Sequence, residues 1–312
     1  MKVSFVVTLY NKVPYIPYML AGLSAQGGEF EREYIFVDDG SSDGTGDLIG
    51  ELTRDWPNTS IIRQKNAGPA PALNHGIAQS RGDLIKPMDG DDILIPGATL
   101  ALMAALRSTG ASVAFGSDLS YSLETPGGPA ALLKSIEPSL GCATILEDTL
   151  LHSLKHPLTN PSAWLATSDI VKRSSGCDTR IFIQDYSIEL RMARLGDFAK
   201  LNAPVFMAPE AAPGRLSDNQ AQILHDCILA TCHLLCDHPE VSSQHRRFAV
   251  QRSLGCAWKW RKRKESGSFL SSREFWAYLA SRLGWIPADR ETLIDLACGT
   301  FRRTHAIRTP HI

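Results

Sequence analysis

The chain has 312 residues, with 32 Lys or Arg against 33 Asp or Glu, a formal net charge of −1 and 44% hydrophobic residues. That length suits one large domain with an appendage, or two modest domains, and the ordinary charged fraction excludes an intrinsically disordered chain. The near-zero balance argues against a dedicated nucleic-acid binder, although eight Lys or Arg and no acid fall between Arg246 and Lys264, while acids gather near residues 38–55 and 89–92.

Val3 to Leu9 is a β-rich run that ends at Tyr10-Asn11. Ile16, Leu20 and Leu23 recur at near-helical spacing, and Gly27-Gly28 closes that helix. Tyr34 to Val37 reads as a second strand, stopped abruptly by Asp38-Asp39-Gly40-Ser41-Ser42. A helix is expected from about Thr45 to Arg54, and a third strand over Ser60 to Arg63. Leu73 and Ile77 lie four apart on the next helix, with Gly82 expected to stop it in a left-handed cap. A fourth strand starts at Leu84-Ile85 and runs into Asp89-Gly90-Asp91-Asp92. Pro96 is expected to open a further helix through Leu100, Met103 and Leu106. Alternating strands and helices imply an α/β fold with a mainly parallel sheet flanked by helices. In such sheets ligands bind beyond the carboxyl ends of the strands. Tyr10-Asn11, Asp38-Asp39, Lys65-Asn66 and the run from Asp89 to Asp92 all fall there, as one site built by four strand ends.

Residues 121 to about 160 are poorly patterned, with a loop at Pro126-Gly127-Gly128-Pro129. Ile188, Met192 and Leu195 then form a helical stripe that Gly196 ends. Ser217 with Gln220, and Ser271 with Glu274, read as capping boxes, and the last hundred residues read as a helical appendage. No internal repeat is present. Seven cysteines without compact spacing argue against a disulfide framework and for reduced thiols in a cytosolic setting. The amino terminus lacks the length and cleavage site of a signal peptide, and no apolar stretch approaches the ~20 residues of a membrane span. The expectation is a cytoplasmic protein that touches a membrane, if at all, at its surface.

Two carboxylates one residue apart after a strand, Asp89-x-Asp91, suit a hard divalent cation that bridges phosphate oxygens. Three alternatives compete with that reading. A solvated acidic turn is the plainest. An EF-hand is imitated by Asp39-x-Ser41-x-Asp43-Gly44, but Gly50 stands at the twelfth position and a strand precedes the loop. A dinucleotide fold needs a glycine-rich turn after the first strand, where this chain has Tyr10-Asn11-Lys12-Val13-Pro14. A phosphate loop ending in Gly-Lys-Ser/Thr is also missing, so a metal on carboxylates is the available phosphate device.

The order Val6-Val7-Thr8-Leu9-Tyr10-Asn11, Phe36-Val37-Asp38-Asp39-Gly40-Ser41-Ser42-Asp43-Gly44-Thr45, Asn66-Ala67-Gly68, Asn74-His75-Gly76, Gly82-Asp83 and Asp89-Gly90-Asp91-Asp92 resembles the family 2 glycosyltransferases of the GT-A fold. Each piece is weak alone; together, in order, they are specific over about the first hundred residues. The resemblance implies a donor site of Thr8, Tyr10, Asn11, Asp39, Asn66, Asn74, Asp89 and Asp91. Within it, Thr8 and Tyr10 would line the base pocket and Asp39 would bond the base, commonly uracil. Asn66 and Gly68 fit a turn that is as readily structural as ligand-binding. Asp89 would face ribose and diphosphate, and Asp91 would bind Mn2+ or Mg2+ directly, with Asp89 beside it. Asp185, in Gln184-Asp185, would be the general base of an inverting displacement; its plain reading is a helix N-cap.

Two departures from the family stand out. Leu73 occupies the place of a frequent Arg, leaving Lys65, Arg81 and Lys86 as candidates to assist the diphosphate. Arg215 is kept after the last strand of the domain, but without the accompanying His. His225, Cys227, Cys232, His233, Cys236 and His238 invite a zinc reading, yet they lack paired Cys-x-x-Cys knuckles, and a packed helix is preferred. Residues 246–264, which include Trp258-Lys259-Trp260-Arg261-Lys262-Arg263-Lys264, read either as a solvated helix face or as a contact with anionic membrane.

The resemblance implies residues 1–115 as the nucleotide-sugar half, 116–215 as the acceptor half and 216–312 as a helical C-terminal region. It implies transfer of a sugar from a nucleoside diphosphate donor, UDP-sugar being expected, to a saccharide or glycolipid in surface polysaccharide or lipopolysaccharide assembly. A sugar nucleotidyltransferase would need a glycine-rich amino-terminal loop that is absent. A non-catalytic nucleotide-sugar-binding or scaffold protein of the same fold is the alternative outside enzymology.

Overall fold

The computed structural model describes residues 1–124, 128–136, 141–158, 160–210, 219–265 and 268–310. Its first half alternates β1 (Lys2–Leu9), α1 (Ile16–Ser24), β2 (Glu31–Asp38), α2 (Thr45–Leu52), β3 (Thr59–Arg63), α3 (Pro69–Gln79) and β4 (Leu84–Asp89). Next come β5 (Ile93–Leu94), α4 (Ala98–Thr109), β6 (Val113–Tyr121), α5 (Gly128–Ser135), β7 (Ala143–Ile145) and α6 (Thr149–Lys155). After a 3-10 turn over Pro161–Ala163 come β8 (Trp164–Thr167), α7 (Ser168–Arg173), α8 (Asp185–Ala193) and β9 (Phe198–Pro209). The rest is helical: α9 (Gln220–Asp237), α10 (Ser243–Lys264), a 3-10 turn over Phe269–Ser271, α11 (Arg273–Arg282) and α12 (Arg290–Thr304).

The strands form one sheet in the order β3-β2-β1-β4-β8-β6-β9-β5, with β7 on β9. β1 pairs parallel with β2 on one side and with β4 on the other, so the strand order reverses between β1 and β4. That reversal opens a crevice beyond their carboxyl ends. The sheet is parallel through β3, β2, β1 and β4, whereas β8 is antiparallel to both β4 and β6. The expected mainly parallel sheet thus describes its amino-terminal part, and beyond β4 the pairing is mixed.

β1 shows why the sheet is covered on both faces. Val3, Phe5, Val7 and Leu9 pack with α1, α2 and α4, while Val6 packs on the other face with α3 and the later helices. The alternation follows the two-residue period of a strand. It also turns Thr8 to the same side as Val6.

Several boundaries differ from the sequence expectation. α3 ends at Gln79 with Ser80 as an extended cap, so Gly82 is not its left-handed stop. Gly82 is needed for close approach: a Cβ there would lie 2.6 Å from Ser4 Oγ and 2.7 Å from Ser4 N. α4 is opened by Gly97, at φ +75°, and not by Pro96. The stretch from 121 to 160 contains α5, β7 and α6; Gly128 and Pro129 belong to α5, and Pro126 and Gly127 lie outside the described residues. Asn219 caps α9 by accepting from Gln222 N at 3.1 Å, and Ser217 lies outside the described residues. α11 is capped by Ser272, one residue after Ser271, accepting from Phe275 N at 3.1 Å. Asp185 is the first residue of α8, with Gln184 in the cap position, so it is not the N-cap. The helical C-terminal region is present as expected.

Candidate active site

The end of β4 is pinned to the strand beside it. Thr8 and Asp89 are registered partners, and Thr8 Oγ1 donates to Asp89 Oδ1 at 3.3 Å. Gly90 N donates to Thr8 O at 3.0 Å, and a Cβ on Gly90 would meet Leu9 Cδ2 and Thr8 O. Only glycine lets the acidic turn lie this close to β1. From the other side, Asp89 N donates to Ser162 Oγ at 3.1 Å, and the Tyr121 hydroxyl donates to Asp91 O at 2.5 Å. Three elements therefore fix the positions of Asp89 and Asp91.

Asp91 Oδ2 accepts from Lys12 Nζ at 2.5 Å. Lys12 was not among the candidate cations, and its only sequence signal is its place two residues beyond Tyr10 at the end of β1. The three that were proposed lie elsewhere. Lys86 is fully buried and donates to Ser162 O at 2.6 Å and to Pro87 O at 3.1 Å. Burial lowers its pKa to about 7 against the pull of Asp92 and Asp89. Arg81 precedes β4, at the opposite end of the strand from Asp89, where its N–H donates to Glu33 Oε2. Lys65 is exposed beyond β3, and Arg215 lies outside the described residues.

The carboxylates crowd one another. Burial first, and Asp91 second, push Asp89 up to about 6. Burial, then Asp89 and Asp91, raise Asp92 well above the usual range, and its Oδ2 is buried without a partner. Asp185 is raised by burial, then by Asp89, Asp92 and Glu189, and its Oδ1 is likewise buried without a partner. The α8 acid therefore feels the same acidic cluster that ends β4, although 94 residues separate Asp185 from Asp91. Asp89, Asp91 and the orphaned Asp92 oxygen are hard donors whose mutual repulsion a divalent cation would relieve, so these residues fit such an ion. Among the described residues no three His, Cys, Asp or Glu side chains converge as a ready-made cage.

The remaining candidates divide by what their atoms already hold. Tyr10 is half exposed at the mouth of the crevice. Asn11, at φ +52°, donates its N–H to Ser41 Oγ and accepts from Ser42 N through Oδ1, tying β1 to the loop after β2. Asp39 Oδ1 accepts from Gln64 Nε2 and Ala67 N, and Oδ2 from Gly68 N at 2.9 Å, so both oxygens brace the loop before α3. Asn66 is exposed on that loop. Asn74 uses both ends of its amide on the backbone of Cys177, donating at 2.9 Å and accepting at 2.7 Å. The loop carrying Asp39 to Gly44 is built of similar bonds: Asp43 accepts from Thr45 and Val13, and Asp38 from Ser41.

A second set of bonds holds the approach to Asp185. Ile183 N donates to Asp226 Oδ2 at 2.8 Å, and the same carboxylate receives Gln222 Nε2 and pairs with His225 Nδ1. Asp178 pairs with His233 at 2.9 Å and with Arg180 at 2.6 Å. Although burial opposes it, these bonds hold Asp178 far below the usual carboxylate range. His225 and His233, which sequence offered to zinc, lie on α9 and are thus bonded to the carboxylates of Asp226 and Asp178. The seven cysteines are all free thiols.

Residues 4–151 match the family model described as Glycosyl transferase family 2. The undecaprenyl-phosphate 4-deoxy-4-formamido-L-arabinose transferase of Proteus mirabilis is 35% identical over 94 residues, 29% of this chain and 29% of that protein. The chain spans less than a third of the length of the curated relatives it matches. Among solved structures, S. aureus TarS 1–349 in complex with UDP-GlcNAc superposes with a TM-score of 0.60 at 16% identity, covering 91% of this chain and 92% of that one. The mannosyltransferase PcManGT of Pyrobaculum calidifontis, in complex with GDP-Man and Mn2+, gives a TM-score of 0.55 at 16% identity over 97% and 85% of the two chains. The chain carries the GT-A fold, and its residues 4–151 are similar to glycosyl transferase family 2.

Proposed function

We propose that this protein is a metal-dependent inverting glycosyltransferase that moves a sugar from a nucleoside diphosphate donor, a UDP-sugar, to a saccharide or glycolipid acceptor. The observation that carries the reading is the placement of Asp89 and Asp91 at the β1–β4 crevice, with the buried Asp185 carboxyl feeling the charges of Asp89 and Asp92 there. Asp91 and Asp89 hold Mn2+ or Mg2+. When bound, the ion stabilises negative charge on the departing diphosphate. Lys12 supplies positive charge at the same place, filling the role left open by Leu73. Tyr10 offers an aromatic face for the base, and Thr8 keeps Asp89 in place. Asp185 accepts the proton of the acceptor hydroxyl as that oxygen attacks the anomeric carbon, a role its enclosed carboxyl suits.

The UDP-GlcNAc complex of TarS supports a uridine donor, and the Mn2+ complex of PcManGT supports the ion. The lipid phosphate in the name of the Proteus relative supports a lipid-linked acceptor in surface polysaccharide or lipopolysaccharide assembly. Residues 1–115 bind the donor, residues 116–215 the acceptor, and residues 216–312 brace the second half. The protein works at the inner face of the membrane through the basic region 246–264; no helix among the described residues is long and apolar enough to cross a bilayer.

Donor hydrolysis tests the reading. Incubation with UDP- and GDP-sugars should release the nucleoside diphosphate in Mn2+, fastest from a UDP-sugar, and EDTA or Asp91→Asn should stop it. Binding of UDP without any turnover, in hydrolysis or with acceptor extracts, would favour the non-catalytic scaffold instead.

A further inference from the structure

The helices after residue 219 leave one apolar surface uncovered. The inner side of α11 packs on α10, where Phe275 meets Trp258 at 5.2 Å and Gly255 makes room for the Tyr278 ring. Its outer side presents Trp276, Leu279 and Leu283 to solvent, the last 85% exposed, and Trp285 continues the surface past the helix end. Positions 276, 279 and 283 are three and four apart and share one stripe. Between this stripe and α12 runs a groove of about 460 Å³ lined only by apolar residues, among them Ala280 and Leu296. Leu270 extends the surface at the other end, its carbonyl accepting from Trp276 Nε1 at 2.8 Å. A continuous exposed surface of this kind marks an interaction site.

Cations flank it. Lys259, Lys262 and Arg263 at the end of α10, and Arg247 and Arg282 near the Leu283 end, form no ion pair among the described residues. Arg247 Nη2 lies 3.9 Å from where a Cβ on Gly284 would sit, beside Leu283 and Trp285. Residues 243–285 hold ten Lys or Arg and two Glu. A second copy docked here would bring like charge against like charge, whereas an anionic surface complements it. Tryptophan with an apolar ring and a polar N–H suits the headgroup boundary of a bilayer.

We propose that Leu270, Trp276, Leu279, Leu283 and Trp285 form the surface with which the protein lies on an anionic lipid bilayer, with the flanking cations drawing it to the headgroups. This rests on the membrane contact proposed above and relocates its apolar part. Trp260 of the basic stretch is buried against Phe301 at 5.1 Å, and Trp258 is packed on Phe275, so neither can enter lipid.

Sedimentation of the full chain with phosphatidylcholine vesicles, with and without phosphatidylglycerol, tests it. Wild type should pellet with the anionic vesicles and be released by salt. Leu283→Glu and Trp285→Ala should each cut partitioning about tenfold, with thermal unfolding unchanged. Lys262→Glu with Arg263→Glu should remove the preference for phosphatidylglycerol. No pelleting of wild type, equal pelleting with neutral vesicles, or unchanged partitioning of Leu283→Glu would overturn the surface. So would a dimer that Leu283→Glu dissolves while vesicles stay unbound. UDP binding, measured on the same preparations, should be intact in every variant, which separates failure of this surface from failure of the donor site.

Discussion

Asp185 carries the chemistry of the account, and its surroundings set when it can act. Burial and the charges of Asp89, Asp92 and Glu189 all favour its protonated form. A protonated carboxyl cannot accept a proton, so transfer should fail as pH falls through a pKa above the ordinary ~3.9 of an aspartate. The kcat/KM profile should therefore rise with pH on an acid limb lying above that value. A limb at or below it would contradict the assigned environment. Asp185→Asn should lower kcat by roughly 10²–10⁴-fold while leaving UDP affinity unchanged, checked by steady-state kinetics beside direct binding. At this scale Asp89, Asp91 and Asp185 stood out in the sequence as candidates because each stands in a short patterned run. It did not show Lys12, a lone lysine outside any pattern. Nor could it show that Asp39 and Asn74 already spend their polar atoms on neighbouring backbone, since residue type does not reveal which lone pairs are taken.

Two elements hold the segment that delivers Asp185: α9, which lies beyond the part that resembles the family, and α3, which lies within it. α9 reaches it through Asp226, which is 2% exposed and accepts from Ile183 N. Asp226→Ala leaves the part-buried Ile183 N without its acceptor and takes from Gln222 Nε2 one of its two acceptors, the other being Arg308 O. A stability loss of about 1–3 kcal/mol is expected, with a fall in kcat and no change in UDP affinity; denaturant unfolding and kinetics check both parts. α3 reaches it through Asn74, and its own contact with the sheet depends on Gly76, where a Cβ would meet Val6 Cγ1 and, at 3.1 Å, Val37 Cγ2. Gly76→Ala should cost about 1–3 kcal/mol through overpacking, read as a lower denaturation midpoint. The run Asn74-His75-Gly76 thus does packing work that a motif alone does not announce. Strands were legible from alternation and helices from three- and four-residue spacing. Boundaries were not, because adjacent residues such as Ser271 and Ser272 offer the same capping hydroxyl and only geometry selects one.

Over the whole molecule, one sheet joins an all-parallel amino-terminal side to a mixed region that carries Trp164–Thr167 between β4 and β6. The site sits where these regions meet, with acids from β4 on one side and from α8 on the other. The architecture of the first hundred residues was legible because the parallel βα pattern repeats its signals. The mixed region was not, since short strands such as β7 and long-range antiparallel pairing leave little local pattern. Acid at the crevice and base on α10 likewise explain how a net charge of −1 coexists with two strongly charged surfaces. The acidic end of β4 is proposed to bind uridine diphosphate through a divalent ion. Calorimetry of UDP against the full chain, with Mn2+ and with EDTA, tests this most directly. Binding is expected in Mn2+ and is expected to be lost in EDTA and in Asp91→Asn, with GDP weaker than UDP; equal UDP binding without metal, or in Asp91→Asn, would overturn the assignment.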